Sequence, residues 1–198
     1  MPRFAELARA TRLGDPGPGA PMTREELGAH VAHMVWESLS DLLLSNESSQ
    51  LFSDLGVSTE EGVPSDSATE ELLIYLMWAH VRSVRQVFHP RTNGDPVKCV
   101  LGALHRAIYE DLEKRGITSA ELPIFEQRAA ARYFDYHHAL EESPEVLGMA
   151  AARHLGRSDE PSCKAARILA SWAQEIFQPL QDFLEEIEII PPGDPQPE

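Results

Sequence analysis

The stretch from Ser67 to His89 limits the folds open to this chain more than any other. Its centre, Leu72-Leu73-Ile74-Tyr75-Leu76-Met77-Trp78-Ala79, is eight residues without a charge. A bilayer span needs about 20 apolar residues, so the run reads as a helix buried around most of its circumference. Ser67 and Glu70 have capping-box spacing, and Glu71 adds negative charge at the positive end of the helix dipole. Pro90 lacks an amide hydrogen and biases His89 toward extended backbone, which predicts the stop. A helix apolar on nearly every side needs other helices around it.

The rest of the sequence supplies them. Thr23 with Glu26 forms a capping box before a stripe of Leu27, Val31, Val35, Leu39 and Leu42, predicting a helix to about Ser45. Asp95-Pro96 opens another, carrying Val97, Leu101, Leu104, Ile108 and Leu112 and closing at Lys114-Arg115-Gly116. Thr118, Glu121 and Pro123 introduce a helix to Glu141 with Phe125, Ala129, Tyr133, Tyr136 and Leu140 inward. Ser143-Pro144 starts a short helix ending at Gly156. A last pattern from about Ser158 to Ile190 has Pro179 inside it, where a kink or break is expected. No strand-like alternation exceeds four residues. The expected fold is all-α, an up-and-down bundle of five to six helices built around the 67–89 helix. Residues 1–22 are expected to be a flexible segment ending in a Gly/Pro linker, 23–190 one domain and 191–198 a disordered tail. Residues 46–66 read as a long loop with one apolar island, Leu51, Phe52 and Leu55.

Charge narrows the function. The formal net charge is −15, a field that repels phosphate backbones and excludes generic nucleic-acid binding. Twelve of the seventeen basic residues lie between 67 and 164. Cys99 and Cys163, far apart in sequence, read as buried free thiols rather than a disulfide. Met1 to Leu13 lacks an apolar run of signal-peptide length, so a cytoplasmic protein without membrane contact is expected.

No nucleotide-binding glycine motif, HExxH or nucleophile elbow occurs, so catalysis has no motif behind it. Histidines suggest two sites. His80, His105 and His137 lean toward the apolar faces of three helices, with Tyr109 and Tyr133 beside them, and are the candidate contacts for a small ligand, haem or transition metal. Glu26, His30, His33 and Glu37 follow 4-3-4 spacing and form a candidate metal-binding row. Against the first stands the lack of any Glu-x-x-His pair, and against the second a solvated face with ordinary i,i+4 pairs, so no cofactor is the simpler expectation. Arg82, Arg85, Arg91 and Arg106 suit a phosphate or carboxylate unless acidic neighbours pair with them. Finally Trp172, Ile176, Leu180, Phe183 and Ile187 make the last helix apolar over a wide arc. This predicts action by association, as a homodimer through that helix.

Overall fold

The computed structural model describes residues 21–60, 63–89 and 95–190. Chain order is β1 (Pro21–Thr23), α1 (Arg24–Leu44), α2 (Asn46–Asp54), β2 (Thr59–Glu60), β3 (Val63–Pro64), α3 (Asp66–Phe88), α4 (Asp95–Lys114), α5 (Leu122–Glu142), α6 (Pro144–Gly156), α7 (Cys163–Glu186) and β4 (Glu188–Ile190). The protein is all-α, with seven helices among the described residues rather than five to six. Expectations for residues 1–20, for Arg91 and for the tail from 191 lie outside those residues.

α3 is the axis of the packing. Every residue from Leu72 to Val81 is buried, and the helix meets α1, α4, α5, α6 and α7. The two tightest pairings flank it, α1 on α4 and α6 on α7, and each depends on a missing side chain. A Cβ at Gly28 would lie 2.5 Å from the Val100 carbonyl oxygen, and one at Gly148 would run into the carbonyl of Ala166. Glycine at these positions lets one helix backbone rest on the next. One continuous apolar core takes residues from all seven helices. Inside it Tyr75, Trp78 and Tyr136 form an aromatic cluster with ring centroids 5.2 to 5.9 Å apart. Tyr75 donates its hydroxyl hydrogen to the Leu169 carbonyl at 2.7 Å, tying α3 to α7.

Local signals place most boundaries. Thr23 and Glu26 form the expected capping box of α1; Thr118 and Glu121 make the same reciprocal bonds in the turn before α5, whose N-cap is Glu121. The Ser67 capping box does not form. Ser65 is the N-cap of α3, without a side-chain cap bond, and Glu70 reaches Arg128 on α5 at 2.8 Å instead. A partly buried ion pair outcompetes a local cap worth about 1 kcal/mol. The presumed 46–66 loop contains α2, capped by Ser45, because Leu51, Phe52 and Leu55 share a helical face and are all buried. The last helix stops at Glu186. Beyond it Ile187 is buried, Glu188 exposed and Ile189 half-buried, and Glu188–Ile190 pair in parallel with Pro21–Thr23. That alternation with β-branched residues suits a strand, and it draws Pro21 and Met22, expected to be flexible linker, into the fold. Pro179 lies inside α7 without dividing it. Both cysteines are free and exposed rather than buried, Cys99 on the outer face of α4 and Cys163 at the first position of α7.

Candidate functional site

The C-terminal half of α3 carries Arg82, Arg85, Gln86 and His89. Spacings of three, four and seven residues put them on one side of the helix. With Trp78 and Val81 from α3, and Tyr133 and His137 from α5, they line a cleft of about 350 Å³. This is the lower end of the size range of small-molecule sites, about 300 to 1,000 Å³. Gln86 is fixed at its rim, its side-chain oxygen accepting from the Gln181 amide at 2.7 Å.

Neither Arg82 nor Arg85 forms an ion pair with a described residue. The Arg82 guanidinium lies over the Phe177 ring, 5.6 Å from its centroid, and its Nε is buried with no hydrogen-bond partner among the described residues. Burial pulls its pKa down, but a guanidinium stays charged at any physiological pH. Among the described residues, then, no acidic neighbour neutralises Arg82 or Arg85. Arg106 is exposed on α4, away from the cleft lining.

Behind Tyr133 a hydrogen-bond chain runs into the helix pair. His105 Nδ1–H donates to the Leu101 carbonyl at 2.7 Å. That fixes the tautomer and leaves Nε2 to accept from the Tyr133 hydroxyl at 3.2 Å. Burial lowers the His105 pKa, and the Arg85 charge nearby lowers it further against the opposing pull of the Leu101 carbonyl and Glu126. Burial raises the Tyr133 hydroxyl well above its ordinary value, and burial with Glu126 pushes Tyr109 up to about 12. His105, Tyr109 and Tyr133 are thus uncharged at neutral pH, and the fixed positive charge of the cleft comes from Arg82 and Arg85.

The sequence candidates fare unequally. His105, Tyr109 and Tyr133 come together, with ring centroids 5.8 and 5.9 Å from the His105 ring. His137 reaches the same cleft from its rim; it is 58% exposed, with Nε2 3.5 Å from the Glu141 carboxylate. His80 does not join them. It is buried in the core, donating from Nδ1 to the Leu76 carbonyl at 2.8 Å. The Glu26, His30, His33, Glu37 row does not close around a point, because eleven residues of helix separate its ends by about 16 Å. Glu26 is committed to Thr23 at 2.8 Å, the His30 ring packs 5.3 Å from Phe183, and His33, buried, stands 3.2 Å from Glu37. Among the described residues no group of three or more His, Cys, Asp or Glu is placed to hold a metal ion.

The wide arc of α7 is largely used within the chain. Trp172, Leu180 and Ile187 are buried, and Ile176 and Phe183 half-buried. No helix among the described residues is long and apolar enough to cross a membrane. Val81, Gln86 and His89 are cleft residues that the sequence candidates did not include, although Gln86 and His89 stand at helical spacing from Arg82 and Arg85. The fold and cleft define a class, an all-helical protein with a cationic, aromatic-walled cleft. Comparison of the chain with protein-family models, curated proteins and solved structures finds no match to any of them.

Proposed function

We propose that the protein binds a small organic anion in the α3–α5 cleft. A carboxylate or phosphate head lies between Arg82 and Arg85, and an aromatic or branched apolar body rests against Trp78, Val81 and Tyr133. One observation carries this reading: two arginines without carboxylate partners among the described residues line an aromatic-walled cavity in a chain of net charge −15. Arginine forks match planar carboxylates and tetrahedral phosphates geometrically, and aromatic walls supply apolar contact area. Tyr133, with its hydrogen committed to His105, offers its hydroxyl oxygen to a ligand donor.

The test is a calorimetric titration of the intact protein with indole-3-carboxylate, benzoate and phenyl phosphate at low salt. Saturable binding to at least one is expected, weakening at least tenfold in Arg82→Ala and Arg85→Ala and declining as salt is raised. Absence of binding to all three, or binding indifferent to removal of both arginines, would refute the reading. The metal or haem alternative predicts stoichiometric metal or a visible absorption band in untagged protein. His80 does not line the cleft that Tyr133 and His137 share, and Glu26 is bonded to Thr23, so neither proposed ligand set converges on one point.

A further inference from the structure

A second concavity, of about 370 Å³, opens between the first turn of α3, the first half of α5 and the end of α6. It is lined by Glu71, Arg128, Arg132, Arg153, His154 and Arg157, with no apolar side chain among them. Carboxylates, one of them in the lining itself, hold two of the arginines. The buried Glu71 takes the Arg132 fork through both oxygens, at 2.9 and 3.2 Å, and Glu70 takes Arg128 at 2.8 Å. Asp135 lies 3.1 Å from His154. No carboxylate is left for Arg153 and Arg157, which pair with none among the described residues.

Arg157 is unusual in a second respect. It ends α6 with φ 50°, the one described residue other than glycine with positive φ. Glycine is the usual occupant of that position, because a Cβ is strained there. The strain coincides with a specific placement, since the Arg157 guanidinium donates to the Ser67 hydroxyl in the first turn of α3.

We propose that this concavity binds a phosphoryl dianion, held between the Arg153 and Arg157 guanidiniums with the Ser67 hydroxyl as a further donor. Two cations without a carboxylate partner among the described residues match a double negative charge. Two guanidinium forks offer more donors than a planar carboxylate can accept and suit the three oxygens of a phosphoryl group. A wholly polar lining offers nothing to an apolar body, which separates this site from the aromatic cleft. The phosphoryl group comes either as inorganic phosphate or as the head of a phosphomonoester.

The experiment is calorimetric titration of the full chain with inorganic phosphate and, separately, glycerol 3-phosphate, at constant ionic strength in chloride. Parent, Arg153→Ala, Arg157→Gly and the double variant Arg82→Ala/Arg85→Ala are compared. Arg157→Gly removes the guanidinium while relieving the backbone, so it should melt at or above the parent temperature. Arg153 is exposed and helical, so its alanine variant should fold as the parent does. One site is expected, weakened about tenfold or more in each of these two variants and unchanged in the double variant. Tighter binding of phosphate identifies the free ion as the occupant, and tighter binding of glycerol 3-phosphate identifies a monoester head. No saturable binding of either probe overturns the proposal. So does affinity retained in both Arg153→Ala and Arg157→Gly, or lost only in the double variant. That last result would place phosphate in the aromatic cleft and leave the proposed function standing.

Discussion

Acid should destabilise this protein through His80. Its ring is buried in α3 among Leu73, Leu76 and Val84, and burial pushes its pKa down to about 4 against the opposing effect of the Leu76 carbonyl. An exposed histidine in the unfolded chain titrates near 6.5. Between these values the unfolded chain takes up a proton that the folded one refuses. Stability is therefore intact above about pH 6.5 and lost as the pH falls toward 4. The whole interval is worth about 3 kcal/mol, at about 1.36 kcal/mol per pH unit. The part between pH 7 and pH 5 is about 2 kcal/mol, a large fraction of the 5–15 kcal/mol typical of a domain. Burial also lowers His105 and His154, so the total acid loss does not isolate His80. Urea unfolding of the parent and of His80→Gln at pH 7 and pH 5 does, because the other histidines are common to both. The variant should lose about 2 kcal/mol less than the parent over that step. Equal losses would show that His80 is not held neutral, and the account of its environment would be wrong.

Two further outcomes follow from hydroxyls and glycines. Tyr75→Phe deletes the bond to Leu169 and should cost about 1 kcal/mol. Tyr136→Phe removes a buried hydroxyl with no partner among the described residues and should be neutral or stabilising by up to about 1 kcal/mol. Thermal denaturation of the pair checks the contrast, and a clear loss in Tyr136→Phe would refute it. Gly148→Ala should destabilise by more than about 2 kcal/mol, because the new methyl meets backbone rather than a movable side chain. Gly102→Ala, with nothing within 4 Å, should gain up to about 1 kcal/mol; similar melting temperatures for the two variants would contradict the close approach of α6 to α7.

What the sequence disclosed was what short-range physics decides. The burial of α3 followed from an uncharged run, and the Thr23 and Thr118 capping boxes from residues three apart. The end of α4 followed from Gly116, which has φ 97°. Failures came where distant residues intervened. Glu70 left its cap for Arg128, fifty-eight positions away. Ile189 joined a strand whose partner, Met22, lies at the other end of the described chain. The candidate site divides in the same way. Helical angles turned His80 inward, where it is buried, but also leaned His137 toward the core, where it is 58% exposed; Arg82 and Arg85 stood out only against the acidity of the chain. The angles carried no information on whether an acidic helix would face those arginines, which decides between a neutralised surface and a cationic cleft. The island Leu51, Phe52, Leu55 had helical spacing all along; the surrounding serines and glutamates masked it.

That last distinction bears hardest on function. With thirty-two acidic residues against seventeen basic ones, a carboxylate within reach of any given arginine is the ordinary outcome. Arg128 and Arg132 meet it. The face of α3 from Arg82 to His89 instead holds two cations beside Gln86 and aromatic rings, and the described part of α5 opposite it contributes Tyr133 and His137 to the cleft. Arg82, half-buried and without a counter-charge among the described residues, loses hydration with nothing in return, so its placement lowers stability unless something else supplies the charge; Arg85 is exposed and keeps its hydration. The aromatic cluster adds a geometric consequence. Trp78 forms part of the cleft wall and packs 5.5 Å from Tyr136, whose ring lies 5.7 Å from His154 in the arginine concavity. Both hollows therefore border one rigid aromatic stack in the core.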